Sequence, residues 1–407
     1  MCLQFLVDVF EGSLPDLDAN HPLLSQSAGT ALQVALVDLL ASWNILPHVV
    51  VGHSSGEVAA AYCAGGISRE AAWKVGYYRG YVCAKQHDED KGALMAVGAS
   101  EEVVGKYLKA LETATGEELQ VACFNSPKNF TVTGMRRNIV DLRAMLEKDG
   151  IFSRVLPGKV AYHSTHMEVV AKEYASLLGD LSPGRKPEGS PEIRLVSSLK
   201  GTTISPNETA RADYWVQHLL LPVRFIDSLI EACSDPDSDA LTSSIDDLVE
   251  IGPHSALRSA IRETLSTASH RKAIRYSHVV TRGQTSNLAL LEAIGALHCR
   301  GYSVDLFASN FPLTASGFAP SSMLNDLPPY CFNHEKTYRT ESRLISNVRN
   351  RSHPKQELFG SRALDWVESE PRWRNTIRPS EMPWLRQNKV SALSLRACIK
   401  VHILSST

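Results

Sequence analysis

Residues 48–65, HVVVGHSSGEVAAAYCAG, decide the fold. The β-branched run at 49–51 predicts a buried strand, and the apolar run after it predicts a helix. Between them lies the pattern G-x-S-x-G, which in a strand-turn-helix context is typical of a nucleophile elbow. Because such a turn strains the backbone of its serine, we expect small residues at Gly52 and Gly56 and an exposed Ser54 hydroxyl above the sheet.

The turn also predicts where an oxyanion would be stabilised. A helix that begins near Ser55 directs free N–H groups and its positive end toward the nucleophile. We therefore expect the Ser55 N–H to donate to a tetrahedral oxyanion. His53 is expected to support the elbow turn.

Working outward from the elbow, helix and strand patterns alternate as in an α/β domain. The run TALQVALVDLLASWNI predicts a helix before the strand, and AAWKVGYYRGYVCAK predicts one after Gly65 and Gly66, with Ser68 as its N-cap. Arg79 lies on this second helix. Residues 92–158 predict a β-α-β-β-α-β insert of the ferredoxin-like type.

Composition excludes several classes of function. The chain of 407 residues has a formal net charge of −2, which gives no overall attraction to nucleic acid or acidic membranes. Its eight cysteines are scattered, as expected of reduced thiols in the cytoplasm. No signal peptide and no apolar run of about 18 residues is evident. The short basic cluster RNRSHPKQ predicts a solvated linker rather than a nucleic-acid site.

Several sequence blocks, taken together, identify a family. GHSSGEVAAAYCAGGISREAAWKVGYYRG, GALMAVG, VACFNSPKNFTVTG, VAYHSTHM, YWVQHLLLPVRF and VEIGPHSAL follow one another in order over residues 22–310. They resemble the acyltransferase domain of fungal highly reducing type I polyketide synthases, which is related to malonyl-CoA:acyl carrier protein transacylases. The resemblance implies an α/β-hydrolase-like large subdomain that carries the ferredoxin-like insert.

The resemblance also implies roles for individual residues. Ser54 is the nucleophile, and His163 matches the catalytic histidine that accepts its proton, with His166 and His53 as alternatives. The family orients this imidazole through a main-chain carbonyl, and the matching position is His218, where the family favours Asn. Catalysis then needs no carboxylate of a triad.

The substrate follows from two further matches. Arg79 matches the arginine that binds the free carboxylate of a malonyl group, a task for which a planar guanidinium is suited. Tyr162 stands where malonyl enzymes carry a bulky aromatic ring. The implied reaction passes malonyl from malonyl-CoA through Ser54 to the phosphopantetheine thiol of an acyl carrier protein, beside other synthase domains and with no cofactor or metal bound by this domain.

The resemblance predicts three segments and leaves alternatives open. Residues 1–310 form the acyltransferase domain, 311–353 a linker, and 354–407 resemble the start of a dehydratase hot-dog fold. The Gly-Gln-Gly segment of the family is missing before residue 22, and Gln387-Asn388 replace the catalytic aspartate-histidine of dehydratases. We therefore expect a fragment, for which a catalytically inactive remnant and a serine esterase or thioesterase are competing interpretations.

Overall fold

The computed structural model describes residues 2–11, 18–88, 91–184, 192–234, 245–267, 274–283, 286–310 and most of 326–384. The chain divides into two compact units, residues 1–320 and 321–407. The linker predicted for 311–353 crosses that division, and its first fifteen positions, 311–325, lie outside the described residues.

The helices and strands alternate along the first unit. Its helices are α1 Cys2–Phe10, α2 Pro22–Ser42, α3 Glu57–Cys63, α4 Arg69–Asp88, α5 Glu101–Thr115, α6 Arg136–Lys148, α7 Glu168–Leu178, α8 Ala212–Leu220, α9 Phe225–Cys233, α10 Arg258–Thr267, α11 Ser286–Cys299 and α12 Leu306–Asn310. Its strands are β1 Val49–Val51, β2 Gly92–Val97, β3 Gln120–Ser126, β4 Asn129–Met135, β5 Ser153–Val155, β6 Arg194–Ser197, β7 Thr202–Ile204, β8 Asp247–Glu250 and β9 Arg275–His278.

The strand that leads into the elbow belongs to a mixed sheet. Strand β1 pairs in parallel with β6, which pairs antiparallel with β7. Strands β8 and β9 form a separate parallel pair. The α/β class expected from the sequence is therefore confirmed. The described strands do not confirm one continuous hydrolase-like sheet.

Helix α4 crosses the core and carries Arg79. The Ser68 hydroxyl accepts the Ala71 N–H at 3.1 Å, which confirms Ser68 as the cap. The helix packs between α2 and α7, and Val75 and Val82 are fully buried on it. The Arg79 side chain on this helix therefore lies in the protein interior rather than in solvent.

Helix α2 qualifies the expectation about membrane segments. Pro22–Ser42 is the one helix among the described residues that is long and apolar enough to cross a membrane, by length and composition. Its Val34, Leu36 and Leu40 are buried in the core of the first unit. The core helix of a soluble protein passes the same test of length and composition.

The predicted insert has its own sheet and core. Residues 92–155 follow the order β-α-β-β-α-β, and the antiparallel strands lie in the order β3-β4-β2-β5. Helix α5 buries Val104 and Leu111, seven positions apart on one helical face, and ends at Gly116 with φ of 70°. Strand β2 buries Ala93, Met95 and Val97 at every second position. This is the ferredoxin-like element order expected from the sequence.

The second unit contains little regular structure among its described residues. It has helix α13 Arg343–Arg349 and the two-residue antiparallel strands β10 Ser361–Arg362 and β11 Trp373–Arg374. These elements do not confirm a hot-dog fold. The positions Gln387 and Asn388, on which the sequence comparison with dehydratases depends, lie outside the described residues.

Candidate active site

The turn after β1 is a strained elbow. Ser54 has φ of 49°, a left-handed conformation that costs a non-glycine residue on the order of 1–3 kcal/mol. A Cβ on Gly52 would lie 2.2 Å from the Glu57 Cα and N, so this position accepts only glycine. A single 3-10 turn, Ser54–Gly56, precedes α3, which begins at Glu57 rather than near Ser55 as expected.

The second glycine of the elbow motif has a weaker role than expected. Gly56 has φ of −64°, which any residue adopts. A Cβ there would meet only the end of the flexible Gln33 side chain, at 3.4 Å. The expectation that Gly56 must be small is therefore wrong, whereas the expectation for Gly52 agrees with the geometry.

Ser54 and His163 form a hydrogen-bonded pair. The Ser54 Oγ lies 2.8 Å from His163 Nε2, and His163 Nδ1 lies 2.9 Å from the Leu221 carbonyl oxygen. Because a carbonyl can only accept, Nδ1 carries the proton and Nε2 presents its lone pair to the Ser54 hydroxyl. The pair thus has the tautomer that a general base needs.

The three histidines left open by the sequence occupy different places. His163, with φ of 56°, contacts Ser54. His53 Nε2 bonds Asn125 Oδ1 at 2.8 Å, and its ring packs edge-on against Phe225. His166 lines a cleft of about 330 Å³ whose lining includes neither Ser54 nor His163. Geometry therefore selects His163 as the partner of Ser54.

Burial and a neighbouring cation keep His163 neutral. Loss of solvent and the positive charge of Arg79 hold the pKa of His163 well below its usual range. Arg79 Nη2 lies 3.5 Å from His163 Nε2. The imidazole is therefore uncharged at neutral pH and free to accept a proton.

Arg79 is a buried cation beside the Ser54–His163 pair. It is 1% exposed, and among the described residues no Asp or Glu lies within ion-pair distance of its guanidinium. Its Cζ lies 5.8 Å from the centre of the Tyr162 ring. Burial raises the pKa of Tyr162 well above its usual range, so this ring stays uncharged. The sequence-predicted Arg79, Tyr162, His163 and Ser54 are thus brought together.

His218 does not have the role expected for it. The carbonyl that orients His163 belongs to Leu221, three positions later, because the chain leaves α8 at Leu220 and turns that carbonyl toward the imidazole. The His218 side chain instead accepts a hydrogen bond from Arg79 Nη1 at its Nδ1, at 3.0 Å. Its Nε2 lies 3.5 Å from Glu57 Oε2.

Glu57 is the polar residue that sequence reasoning missed. Its side chain is fully buried at the start of α3 and accepts from the Ser198 N–H at 2.8 Å, the Ser198 hydroxyl and the Tyr214 hydroxyl. The sequence does contain a signal for this burial. An acid at the start of an apolar helix, with alanines at i+3 and i+4, has no local cation to pair with.

Comparison with known proteins identifies the family. A model of the acyl transferase domain matches residues 22–304. The chain is 46% identical over 379 residues to 6-hydroxymellein synthase cdmE of Talaromyces verruculosus, with 92% of this chain and 14% of that protein covered. It is 43% identical over 379 residues to the highly reducing polyketide synthase otaA of Aspergillus carbonarius, with 92% and 15% covered. The chain therefore spans a minor part of these curated relatives.

A solved structure shows the same fold. The acyl transferase domain of SpnD, in complex with 2-(pent-4-yn-1-yl)malonyl, matches with a TM-score of 0.60 and 25% sequence identity. The match covers 72% of this chain and 66% of that one. With an elbow serine paired to a histidine, a family model over most of the chain, and relatives among fungal synthases, the chain belongs to the acyl transferase domain family of polyketide synthases.

Proposed function

We propose that the chain transfers a malonyl group from malonyl-CoA, through an ester on Ser54, to the phosphopantetheine thiol of an acyl carrier protein domain. The observation that carries this proposal is Arg79, a buried guanidinium beside the Ser54–His163 pair that lacks a carboxylate partner among the described residues. A buried cation is costly unless it is paired, and an acyl donor with a free carboxylate supplies the missing partner.

In the first half of the reaction, His163 Nε2 accepts the Ser54 proton while Ser54 Oγ attacks the thioester carbonyl. The C–S bond breaks, and the proton on Nε2 passes to the CoA thiolate as it leaves. In the proposed mechanism the Ser55 N–H donates to the oxyanion that forms, because Ser55 directly follows the nucleophile in the elbow turn.

The second half reverses these roles. His163 accepts the proton of the phosphopantetheine thiol, whose sulfur attacks the malonyl ester carbonyl. The C–O bond to Ser54 breaks, and Oγ recovers the proton from Nε2. Since every proton taken up is returned, the cycle consumes no cofactor.

The surroundings of Arg79 favour malonyl over larger and neutral groups. The Tyr162 ring lies beside the guanidinium and would crowd an α-methyl substituent, although a methyl group discriminates by only about 1–3 kcal/mol. The related SpnD domain was solved with a substituted malonyl, which supports a carboxylated acyl donor as the substrate class. We place this chemistry in the cytoplasm, alongside the other domains of a synthase.

A serine esterase or thioesterase is the competing function. Such hydrolases orient the base through a carboxylate, which stabilises the imidazolium. Here the Nδ1 partner is the neutral Leu221 carbonyl, and Arg79 opposes a positive charge on the ring. This arrangement supports transfer to a thiol, which needs less assistance from a base than water does.

The test is acyl-enzyme formation. The purified chain is incubated with radiolabelled malonyl-CoA or acetyl-CoA, quenched in acid and assayed for protein-bound label. We expect label from malonyl-CoA on the wild type and none on Ser54→Ala. Arg79→Gln should lower labelling by malonyl-CoA about a hundredfold and spare labelling by acetyl-CoA, because only malonyl has the charge that Arg79 pairs with.

Lys85→Gln is the matched control for this experiment. Lys85 lies on the same helix α4, but it is exposed and paired with Glu173. It should label like the wild type. Absence of label on a folded wild-type chain would favour the inactive remnant, and rapid release of label to water would favour the esterase.

A further inference from the structure

The three nitrogens of Arg79 have different surroundings. Nη1 donates to His218 Nδ1 at 3.0 Å, Nη2 lies 3.5 Å from His163 Nε2, and Nε has no hydrogen-bond partner among the described residues. Nε–H and the adjacent Nη2–H point in parallel and form one of the two edges at which a guanidinium binds a carboxylate. Nη1 of Arg79 is therefore held by His218, whereas Nε on the edge that includes Nη2 is buried and has no partner among the described residues.

The bond to Arg79 determines the state of His218. A guanidinium has no acceptor, so Nδ1 of His218 must present a lone pair and Nε2 must carry the proton. That proton faces Glu57 Oε2 at 3.5 Å, close enough for charge attraction but outside hydrogen-bond geometry. His218 is thus a neutral ring placed between a buried anion and a buried cation.

Glu57 is held rigidly at the other end. The Ser198 N–H, the Ser198 hydroxyl and the Tyr214 hydroxyl all donate to its carboxylate. His218 is 2% exposed, and its ring packs against Trp215 as well as Tyr214. Because both side chains are buried, packing keeps His218 between Glu57 and Arg79.

We propose that Glu57 and His218 are positioning residues that hold the Arg79 guanidinium with its Nε–Nη2 edge facing the acyl donor, and so determine selectivity for carboxylated acyl groups. Neither side chain forms a hydrogen bond with the side chain of Ser54 or His163, and the His218 ring packs edge-on against the His163 ring with 5.9 Å between centroids. His218 supplies the acceptor that anchors Nη1, and Glu57 supplies the charge that favours the Nε2–H form of His218. Because this deepens the proposed function, its test must separate the two.

The matched pair of variants is His218→Leu and His218→Asn. An asparagine places its Oδ1 close to where Nδ1 stands and keeps an acceptor for Arg79, whereas leucine removes it. We expect His218→Leu to lower the ratio of kcat/KM for malonyl-CoA over acetyl-CoA by about tenfold to a hundredfold, mainly through KM for malonyl-CoA. His218→Asn should keep the wild-type ratio.

A second readout tests whether His218→Leu has simply disturbed the site. Ser54 is labelled with a neutral fluorophosphonate, which needs the Ser54–His163 pair and no carboxylate site. The rate should be the same in the wild type and both variants. Two results would overturn the positioning role. One is that kcat/KM for malonyl-CoA, kcat/KM for acetyl-CoA and the rate of phosphonate labelling all decrease to the same extent in His218→Leu. The other is that the selectivity of this variant is unchanged.

Malonate separates this inference from the proposed function. Malonate bound at Arg79 should slow phosphonate labelling of the wild type and of His218→Asn. Protection of His218→Leu should need a malonate concentration at least about tenfold higher. A wild type that shows this protection without preferring malonyl-CoA would contradict the proposed function and leave the positioning of Arg79 supported. Equal protection of all three proteins would overturn the positioning.

Discussion

At the scale of single residues, the site depends on two strained backbones. Ser54 and His163 have φ of 49° and 56°, where each non-glycine residue costs on the order of 1–3 kcal/mol. At His163 hydrogen bonds offset this cost: its N–H donates to the Leu219 carbonyl at 3.1 Å, and its ring donates to the Leu221 carbonyl. The reacting atoms are therefore placed by backbone geometry rather than by flexible side chains.

The charge of Arg79 leads to a pH prediction at this scale. Burial and Arg79 lower the pKa of His163, and the neutral ring is the active base, so activity persists at pH values below the ordinary 6.5 of histidine. In Arg79→Gln the repulsion between Arg79 and protonated His163 is removed, so the pKa of His163 rises. The loss of labelling on acidification then begins at a higher pH. The pH dependence of fluorophosphonate labelling of Ser54 measures this shift. Lys85→Gln should show the same pH dependence as the wild type. An identical pH dependence in all three proteins would contradict the effect of Arg79 on the pKa of His163.

At the scale of elements, the segment 218–225 joins both halves of the site. His218 anchors Arg79, and Leu221 orients His163. Val223 pairs with β3 of the insert, through its N–H to the Ala122 carbonyl at 2.8 Å. Phe225 packs against the His53 ring. The ferredoxin-like insert and the catalytic base are thus connected through one short stretch of chain.

The elbow gives a prediction at the scale of elements. Gly52→Ala forces a Cβ to 2.2 Å from the Glu57 backbone, so we expect loss of soluble expression or of Ser54 labelling. Gly56→Ala meets only Gln33 Nε2 at 3.4 Å and has a helical φ, so its labelling should stay near that of the wild type. Fluorophosphonate labelling of both variants checks this. Equal sensitivity of the two glycines would contradict the elbow geometry.

At the scale of the whole first unit, the helix that carries Arg79 packs on α2, and α2 in turn packs against residues of α11. Helix α2 packs against α4 on one side. Its Leu36 and Leu40, with Trp43 directly after the helix, pack with Ile294 of α11 in a separate cluster. The Asp305 N–H also donates to the Trp43 carbonyl at 2.9 Å. Residues 286–310 of the first unit are therefore part of the fold that supports the site.

This arrangement predicts different effects for two substitutions in α11. Ile294 is 3% exposed, and Ile294→Ala should lower the free energy of unfolding by about 2–5 kcal/mol. Leu291, on the same helix, is 48% exposed, and Leu291→Ala should change it by about 0.5 kcal/mol. Urea denaturation followed by circular dichroism measures both. Similar losses in the two variants would show that α11 does not pack as described.

Local sequence by itself determined the elbow, helix α4 and the insert. The pattern around Ser54, the cap at Ser68 and the alternating burial of β2 are properties of neighbouring residues, so they can be predicted without the rest of the chain. His163 and Arg79 were predicted as site residues from family motifs. Their roles remain proposals that the geometry supports.

Only the tertiary structure decided what surrounds these residues. Leu221 acts through a carbonyl that every residue possesses, so no side-chain pattern could indicate it. Glu57 and His218 lie 161 positions apart in the chain and meet because α3 and α8 pack around one core. Motifs record which side chains a chain contains, whereas long-range packing decides which donor meets which acceptor, and here that decides how Arg79 and His163 are held.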